Sequence, residues 1–241
     1  MKNDFRHGVV NSSSQVADID AGLRAYMLRI YNYMAVGLGL TGVVAYLVSS
    51  SPTLLNIFFG NQAIFWIAVL APIGIVFYMS ARIHNMSAAK AQSVFWIYAA
   101  LNGISLASIF LVYTGTSIAK VFFITAGMFA AMSLYGYTTK RDLTGMGSFL
   151  SMGLIGLILA SVANIFFASP GLSFVISIVG VLIFVGLTAY DTQKLKSIYL
   201  SGIESHGPEA VLKTSILGAL SLYLDFLNLF LFLLRFLGDR R

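Results

Sequence analysis

The chain has 241 residues, of which 58% are hydrophobic and 10% charged, and its mean hydropathy is +0.85. No water-soluble domain of this size has a core that could bury so much apolar surface, so the composition predicts an integral membrane protein. The net charge of +6 comes from single basic residues between apolar blocks, which indicates membrane topology rather than nucleic-acid binding. The absence of cysteine excludes disulfides, thiol catalysis and thiolate metal sites.

The apolar residues form blocks of about 18 to 25, long enough for helices that cross a hydrocarbon layer about 30 Å thick. A transmembrane barrel would instead show alternating segments of about ten residues. Short connections rich in Ser, Pro and Gly favour antiparallel neighbours in one compact bundle. We therefore predict an all-α polytopic membrane protein, with an N-terminal tail at 1–26 and a seven-helix domain at 27–241. The predicted spans are 27–48, 63–80, 93–113, 118–137, 146–167, 172–190 and a last one that ends near Leu237.

Lysine and arginine predict the orientation of these spans. Eleven of the fifteen basic residues fall in or near the tail and on alternate connections, whereas the opposite connections hold Lys120 alone. The positive-inside rule then places the N-terminal tail in the cytoplasm, and the lack of an apolar leader leaves insertion to the first span. A complete last span would put three late basic residues outside, so either late charges weigh less or the last helix is partly re-entrant. The three are Arg235, Arg240 and Arg241.

Two acids fall in the apolar runs. Asp225 lies within 217–234, a run with no other charge, and Asp191 directly follows the run 172–190. An ionised carboxylate in hydrocarbon costs several kcal/mol, so such acids usually face a protein interior or a water-filled cavity. The other acids are all in stretches predicted as tails or loops: Asp4, Asp18, Asp20, Asp142, Glu204, Glu209 and Asp239.

The start of the last helix decides whether these acids can meet. If it began at Val211, Asp225 would lie about 21 Å along it, while Asp191 would stay at the cytoplasmic edge. A start near Ala219 leaves about 19 residues, still enough to cross, and brings Asp225 within two turns of the cytoplasmic end. We therefore expect 211–218 to be an interfacial lead-in and 194–213 to be a substantial loop.

The acids have polar neighbours at helical spacing: Thr188 precedes Asp191 by three residues, and Asn228 follows Asp225 by three. If the two faces converge, repulsion and desolvation oppose double ionisation, so the pair is expected to share a proton and to act as a proton-gated latch. Carboxylate and amide oxygens suit transient Ca²⁺. Arg82, at the end of the second span, either pairs with the ionised acids or extends to the headgroups. The alternative is that Asp191 caps a helix and Asp225 bonds local hydroxyls.

Two segments resemble the signature segments of the Bax inhibitor-1 family, also called the transmembrane Bax inhibitor motif family. They are Gly-Leu-Thr-Ala-Tyr-Asp-Thr-Gln-Lys-Leu-Lys at 186–196 and Leu-Tyr-Leu-Asp-Phe-Leu-Asn-Leu-Phe at 222–230. The resemblance covers essentially the whole chain. It implies a pH-sensitive calcium leak that is not an enzyme and has no cofactor, with Asp191 and Asp225 as its sensor and Arg82 as an arginine latch. The implied partners are the lipid bilayer, calcium ions and another membrane protein, and the expected location is a bacterial inner membrane.

Other classes stay open at this point. An intramembrane aspartyl protease fits Tyr190-Asp191, but the glycines expected before the second acid are replaced by the bulky residues 222–224. A serine intramembrane protease lacks a base, because no histidine falls in a predicted span. A non-conducting scaffold or modulator of another membrane protein, such as a membrane protease, is the main alternative. A proton-coupled antiporter would look the same in sequence.

Overall fold

The structure, a computed structural model, describes residues 4–241, with side chains from residue 19 onward except that of His84. Lys2 lies outside the described residues, and so does the side chain of Arg6. The described part contains nine α-helices, with short 3-10 turns at Ile83–Asn85 and Ile203–His206. The helices are α1 Asp4–Ser50, α2 Pro52–Phe59, α3 Gln62–Arg82, α4 Ala88–Leu106, α5 Ile109–Val112, α6 Gly115–Thr138, α7 Thr144–Phe167, α8 Pro170–Leu200 and α9 Pro208–Leu237.

Seven stretches of the described chain are long and apolar enough to cross a membrane, which confirms the predicted all-α polytopic fold. The first of these stretches is Ile19–Ser50 within α1, and the third, Ala88–Val112, combines α4 and α5. The first and last of the described residues lie at opposite ends of the bundle. We call these ends the N-terminal face, with the connections 83–87, 139–143 and 201–207, and the C-terminal face, with 107–114, 168–169 and 238–241.

Proline and small polar residues set the helix starts. Pro52, Pro170 and Pro208 each stand in the first turn of a helix, where the missing N–H costs nothing because that group has no partner within the helix. The side chains of Ser51 and Ser169 accept hydrogen bonds from backbone N–H groups of the helices that follow them. The breakers that punctuate the sequence therefore act as helix starts and caps.

Helix α9 lies at the centre of the bundle. It packs on α8, α1, α6 and α4, whereas α3 packs mainly along α4 and α7 mainly along α8. The outer helices expose large apolar side chains, such as Phe77 on α3 and Phe166 on α7, as expected of surfaces that contact lipid. The pair α8–α9 thus forms an inner wall, which α3 and α7 flank.

The two innermost helices are longer at the N-terminal face than predicted. Helix α8 continues ten residues past 190 to Leu200, and α9 begins at Pro208. The expected lead-in at 211–218 is wrong, because it belongs to α9 and buries Ser215, Ile216 and Gly218. The expected loop at 194–213 shrinks to 201–207. Helix α9 is also unbroken over 30 residues, which favours a complete span over a partly re-entrant one.

Candidate functional site

The contact between α8 and α9 sets the depth of the two acids. The ring of Phe232 packs on Gly180, where an added Cβ would lie 2.6 Å from Phe232 Cγ, and Leu195 packs on Gly218 in the same way at 2.7 Å. In this register Asp191 lies level with Ser221, so Asp225 is about one helical turn, roughly 6 Å, further along the axis. The expectation that an early start of the last helix would separate the acids was wrong, because α8 continues past Asp191 by a similar length.

The two acids differ in burial. Asp225 is 4% exposed, and its Oδ2 is buried without a hydrogen-bond partner among the described residues. Asp191 is half-buried and lies close enough for the two carboxyl groups to interact electrostatically. An unsatisfied buried oxygen costs about 1–3 kcal/mol, and more when the group is charged. Asp225 therefore needs a proton, a water molecule or a cation at Oδ2.

Both acids line one cavity of about 650 Å³ between α7, α8 and α9, which we call the acid cavity. Asn228 also lines it, and its Nδ2 donates a hydrogen bond to the carbonyl oxygen of Leu224 at 2.9 Å. That bond leaves the amide oxygen, within the part of the chain that is described, without a donor. Most polar side chains of the acid cavity carry oxygen, and Lys194 adds a cation: Ser151, Ser161, Tyr190, Asp191, Lys194, Ser221, Asp225 and Asn228.

Two further cavities adjoin the acid cavity. A cavity of about 290 Å³ extends toward the N-terminal face beside Ser80 and Thr214, and it shares Asp191 and Ser221 with the acid cavity. A cavity of about 740 Å³ opens at the C-terminal face and shares Ser161 and Ile165 with it. Cavities that share lining residues are neighbours. The acids thus lie between two neighbouring spaces, one toward each face of the bundle.

The structure does not bring every predicted residue to the acids. Arg82 is exposed at the end of α3 and lines none of these cavities, although Ser80 and Ile83 beside it do. No ion pair joins Arg82 to either acid in residues 19–241. Thr188 is fully buried, and its hydroxyl donates to the carbonyl oxygen of Phe184 at 2.7 Å. Its role beside Asp191 stays a prediction.

Lys194 is the cation that the sequence analysis missed. It lines both the acid cavity and the cavity toward the N-terminal face, it interacts electrostatically with Asp191, and its Nζ lies 5.9 Å from the centre of the Tyr190 ring. The signal was present in the sequence, since Lys194 follows Asp191 by three residues and so shares its face of the helix.

The Asp-Thr-Gln element places three successive side chains on three sides of α8. Asp191 faces the acid cavity. The Thr192 hydroxyl hydrogen-bonds Ser133 on α6 at 3.0 Å, and Ser133 in turn contacts the hydroxyl of Tyr31 on α1. Gln193 bonds the 139–143 connection twice, because its Oε1 accepts from the backbone N–H of Leu143 and its Nε2 donates to a backbone carbonyl there. Residues 192 and 193 thus fix the helix that carries Asp191.

The helix that carries Asp225 is also fixed by side-chain hydrogen bonds, here from Tyr223, two residues earlier on α9. The hydroxyl of Tyr223 lies 2.7 Å from Thr41 Oγ1 on α1, and Thr41 also donates to the carbonyl oxygen of Ala99 on α4 at 2.8 Å. All three residues are buried. Tyr223 is one of the bulky residues 222–224 that argue against an aspartyl protease motif. Its side chain has a structural role, because it ties α9 to two neighbouring helices.

Metal-binding side chains are sparse elsewhere. In the described residues no group of three or more His, Cys, Asp or Glu side chains could hold a metal ion. A Ca²⁺ ion at the acids would be held by two carboxylates, neutral oxygens such as those of Asn228 and Ser221, and water. A site with so little charge is suited to an ion in transit rather than to tight retention.

The fold and this arrangement define a polytopic helical membrane protein with an acid pair inside its bundle. The family described as "Inhibitor of apoptosis-promoting Bax1" matches residues 23–241. The chain belongs to the Bax inhibitor-1 family.

Its relatives include the inner membrane protein YbhL of Escherichia coli (strain K12), which is 48% identical over 229 residues that cover 95% of this chain and 97% of the relative. An uncharacterized protein, RP147, of Rickettsia prowazekii is 50% identical over 96% of this chain and 97% of its own length. An uncharacterized membrane protein of Streptococcus pyogenes serotype M3 is 38% identical over 91% of this chain and 94% of its own length.

Proposed function

We propose that this protein is a pH-sensitive calcium leak in which the Asp191 and Asp225 pair controls passage. The observation that carries the proposal is the buried, unpartnered Oδ2 of Asp225, in a cavity that it shares with Asp191. The adjoining cavities toward the two faces support a path through the bundle rather than a closed pocket. Hard oxygen ligands of this kind suit calcium better than they suit softer metals.

Protons and calcium compete for the same oxygens. When one carboxyl group is protonated, its O–H can donate to the other carboxyl group and hold α8 and α9 together. When both are ionised, repulsion in a water-poor site disfavours the pair unless a cation lies between them. Calcium therefore binds better as the pH rises, and its flux changes with pH over the range in which the pair titrates.

The proposed setting is a bacterial inner membrane with the N-terminus in the cytoplasm. The name of the E. coli relative supports this membrane. The distribution of basic residues supports the orientation, since most of the lysines and arginines lie in the N-terminal segment or at the helix ends and connections of the N-terminal face. In that orientation, the cavity lined by Ser80 and Thr214 opens to the cytoplasm and the 740 Å³ cavity to the outside.

The test is calcium flux in vesicles that contain the purified protein and an internal calcium dye. Wild type is compared with Asp191→Asn and Asp225→Asn over a range of neutral and mildly acidic pH. Both substitutions keep the shape of the side chain but remove its titration, so we expect each to flatten the pH response and to lower flux.

Asp142→Asn is the matched control. Asp142 is exposed in the 139–143 connection, outside the spans, and its hydrogen bonds with Thr144 hold the pKa of its carboxyl group below the ordinary value. It stays ionised over the tested range, so its substitution leaves the pH response unchanged.

Unaltered flux and pH response in both site variants would remove the sensor assignment. No flux in the wild type, with co-purification of a membrane partner, would favour the scaffold, and cleavage of a helical peptide that either substitution abolishes would favour the protease.

A further inference from the structure

The 740 Å³ cavity at the C-terminal face, which we call the outer vestibule, has the opposite charge to the acid cavity. It lies between the end of α7, the start of α8 and the end of α9, and its polar lining is Ser161, Asn164, Ser173, Ser177, Arg235 and Arg240. No carboxylate is among the described residues that line it. Two arginines thus line a space that no carboxylate side chain among the described residues lines.

Hydrogen bonds fix Arg235 and leave one donor available. Ser173 Oγ accepts from Arg235 Nη2 at 2.9 Å and from Asn164 Nδ2 at 2.7 Å. Asn164, which is 8% exposed, is itself held because its Oδ1 accepts from the backbone N–H of Ser169 at 3.1 Å. With both lone pairs occupied, the Ser173 hydroxyl can only donate, and within residues 19–241 it has no acceptor. Ser173 is partly exposed, so this hydroxyl is free to donate to water or to a ligand in the outer vestibule.

The last residues of the chain hold Arg240 in place. The backbone N–H of Arg241 donates to Val112 O at 3.0 Å, and that of Thr114 donates to Asp239 O at 3.1 Å. The Arg240 guanidinium lies 6.0 Å from the centre of the Tyr113 ring. Both arginines are therefore positioned by their neighbours, which lowers the entropy lost when they bind a ligand.

The backbone adds to the positive field. The outer vestibule is lined by Pro170 and Ser173 from the first turn of α8, a helix of 31 residues whose dipole favours negative charge at its N-terminal end. Apolar side chains from three helices complete the lining: Ile165, Phe174 and Phe236. These side chains are exposed where the bundle end would meet lipid.

We propose that the outer vestibule binds an anionic phosphate group, either that of a phospholipid headgroup or free phosphate. Guanidinium groups match the oxygens of a phosphate in pairs, and the Ser173 hydroxyl supplies a further donor. This site does not depend on the calcium leak, because none of its charged or hydrogen-bonding groups belongs to the acid pair.

The experiment uses the purified full-length chain, freed of lipid in a neutral detergent, at constant ionic strength. One arm measures inorganic phosphate binding by titration calorimetry. The other arm measures by native mass spectrometry how much phosphatidylglycerol and phosphatidylcholine the protein retains. The variants are Arg235→Gln, Arg240→Gln and Ser173→Ala. The control is Lys120→Gln, which removes an exposed positive charge near the same face but outside the vestibule.

We expect each arginine substitution to weaken binding about tenfold, as the loss of a hydrogen bond to a charged group implies. Ser173→Ala should also weaken it, since it removes a donor and frees Arg235, and it keeps the test informative if an arginine variant does not fold. Retention of phosphatidylglycerol alone identifies a lipid headgroup, and binding of inorganic phosphate identifies a general phosphate site. The proposal is overturned if the wild type binds neither ligand, if it retains both lipids equally without binding phosphate, or if Lys120→Gln weakens binding as much as the arginine substitutions.

Discussion

Asp225 and Arg235 are ten residues apart on the same helix. The charged group of one lacks a hydrogen-bond partner that the charged group of the other has. Asp225 is buried with an oxygen that no described residue satisfies. Arg235 is exposed and bonded to Ser173, which Asn164 also holds. An unsatisfied buried group raises the free energy of the folded state, whereas a bonded exposed group does not. The acid cavity therefore suits a carboxyl group whose charge changes, whereas the outer vestibule holds a guanidinium group whose charge is permanent.

The largest expected effect comes from separating the acids. Gly180→Val puts a branched side chain against the Phe232 ring, where even a Cβ would lie 2.6 Å from Cγ. We expect a loss of about 3 kcal/mol in the free energy of unfolding, the upper range for overpacking, because the whole α8–α9 contact must shift. Chemical denaturation in detergent measures the loss, and flux measurements should show a weaker pH response.

Gly156→Val on α7 is the control for that substitution, because nothing lies within 4 Å of a Cβ added there. It should change stability little. Equal losses in the two variants would mean that the close approach at Gly180 does not set the register of the acids.

A second substitution tests the contrast between the two charges directly. Asp225→Leu removes the unsatisfied oxygen, so we expect it to stabilise the protein by about 2 kcal/mol while it abolishes calcium flux. Arg235→Leu breaks the bond to Ser173 and should stabilise nothing. Thermal unfolding of both variants, beside vesicle flux, gives the comparison. Destabilisation by Asp225→Leu would show that the carboxyl group has a structural partner and would weaken the gating account.

The smallest effect concerns Lys194, which interacts with Asp191 and competes there with an incoming cation. Lys194→Gln should tighten calcium binding about threefold, the size expected when a solvent-screened charge interaction is removed. Lys196→Gln is the control two residues away, because Lys196 Nζ donates to Tyr137 O and lines neither cavity at the acids. Calcium titration of the two variants separates a local effect from a change in net charge, and equal shifts would contradict the role of Lys194.

The sequence was sufficient for the seven spans and for the two acids, since both follow from apolar runs and from the cost of charge within them. The sequence did not predict that α8 continues to Leu200 or that α9 begins at Pro208. The predicted sixth span ends at 190 and the predicted loop begins at 194, because polar residues follow the apolar run. Thr192 and Lys196 nevertheless bond partners on α6 some sixty residues earlier. Hydropathy does not show such partners.

The outer vestibule was hidden for the same reason. Arg235 appeared in the sequence only as a conflict with the expected orientation. Its partner Ser173 lies 62 residues earlier in the chain, and the tail contacts that position Arg240 are backbone hydrogen bonds with no residue signature.

The hydrogen bonds that hold α8 and α9 also determine which helix is free to respond. Thr192 and Gln193 fasten one acid-bearing helix, Tyr223 fastens the other, and Gln193 anchors the start of α7. On α3, among the described residues, the side-chain hydrogen bonds are confined to its own cap at Asn61. Among the helices around the acids, α3 therefore has the fewest side-chain ties to its neighbours, and it lines the smallest of the three spaces.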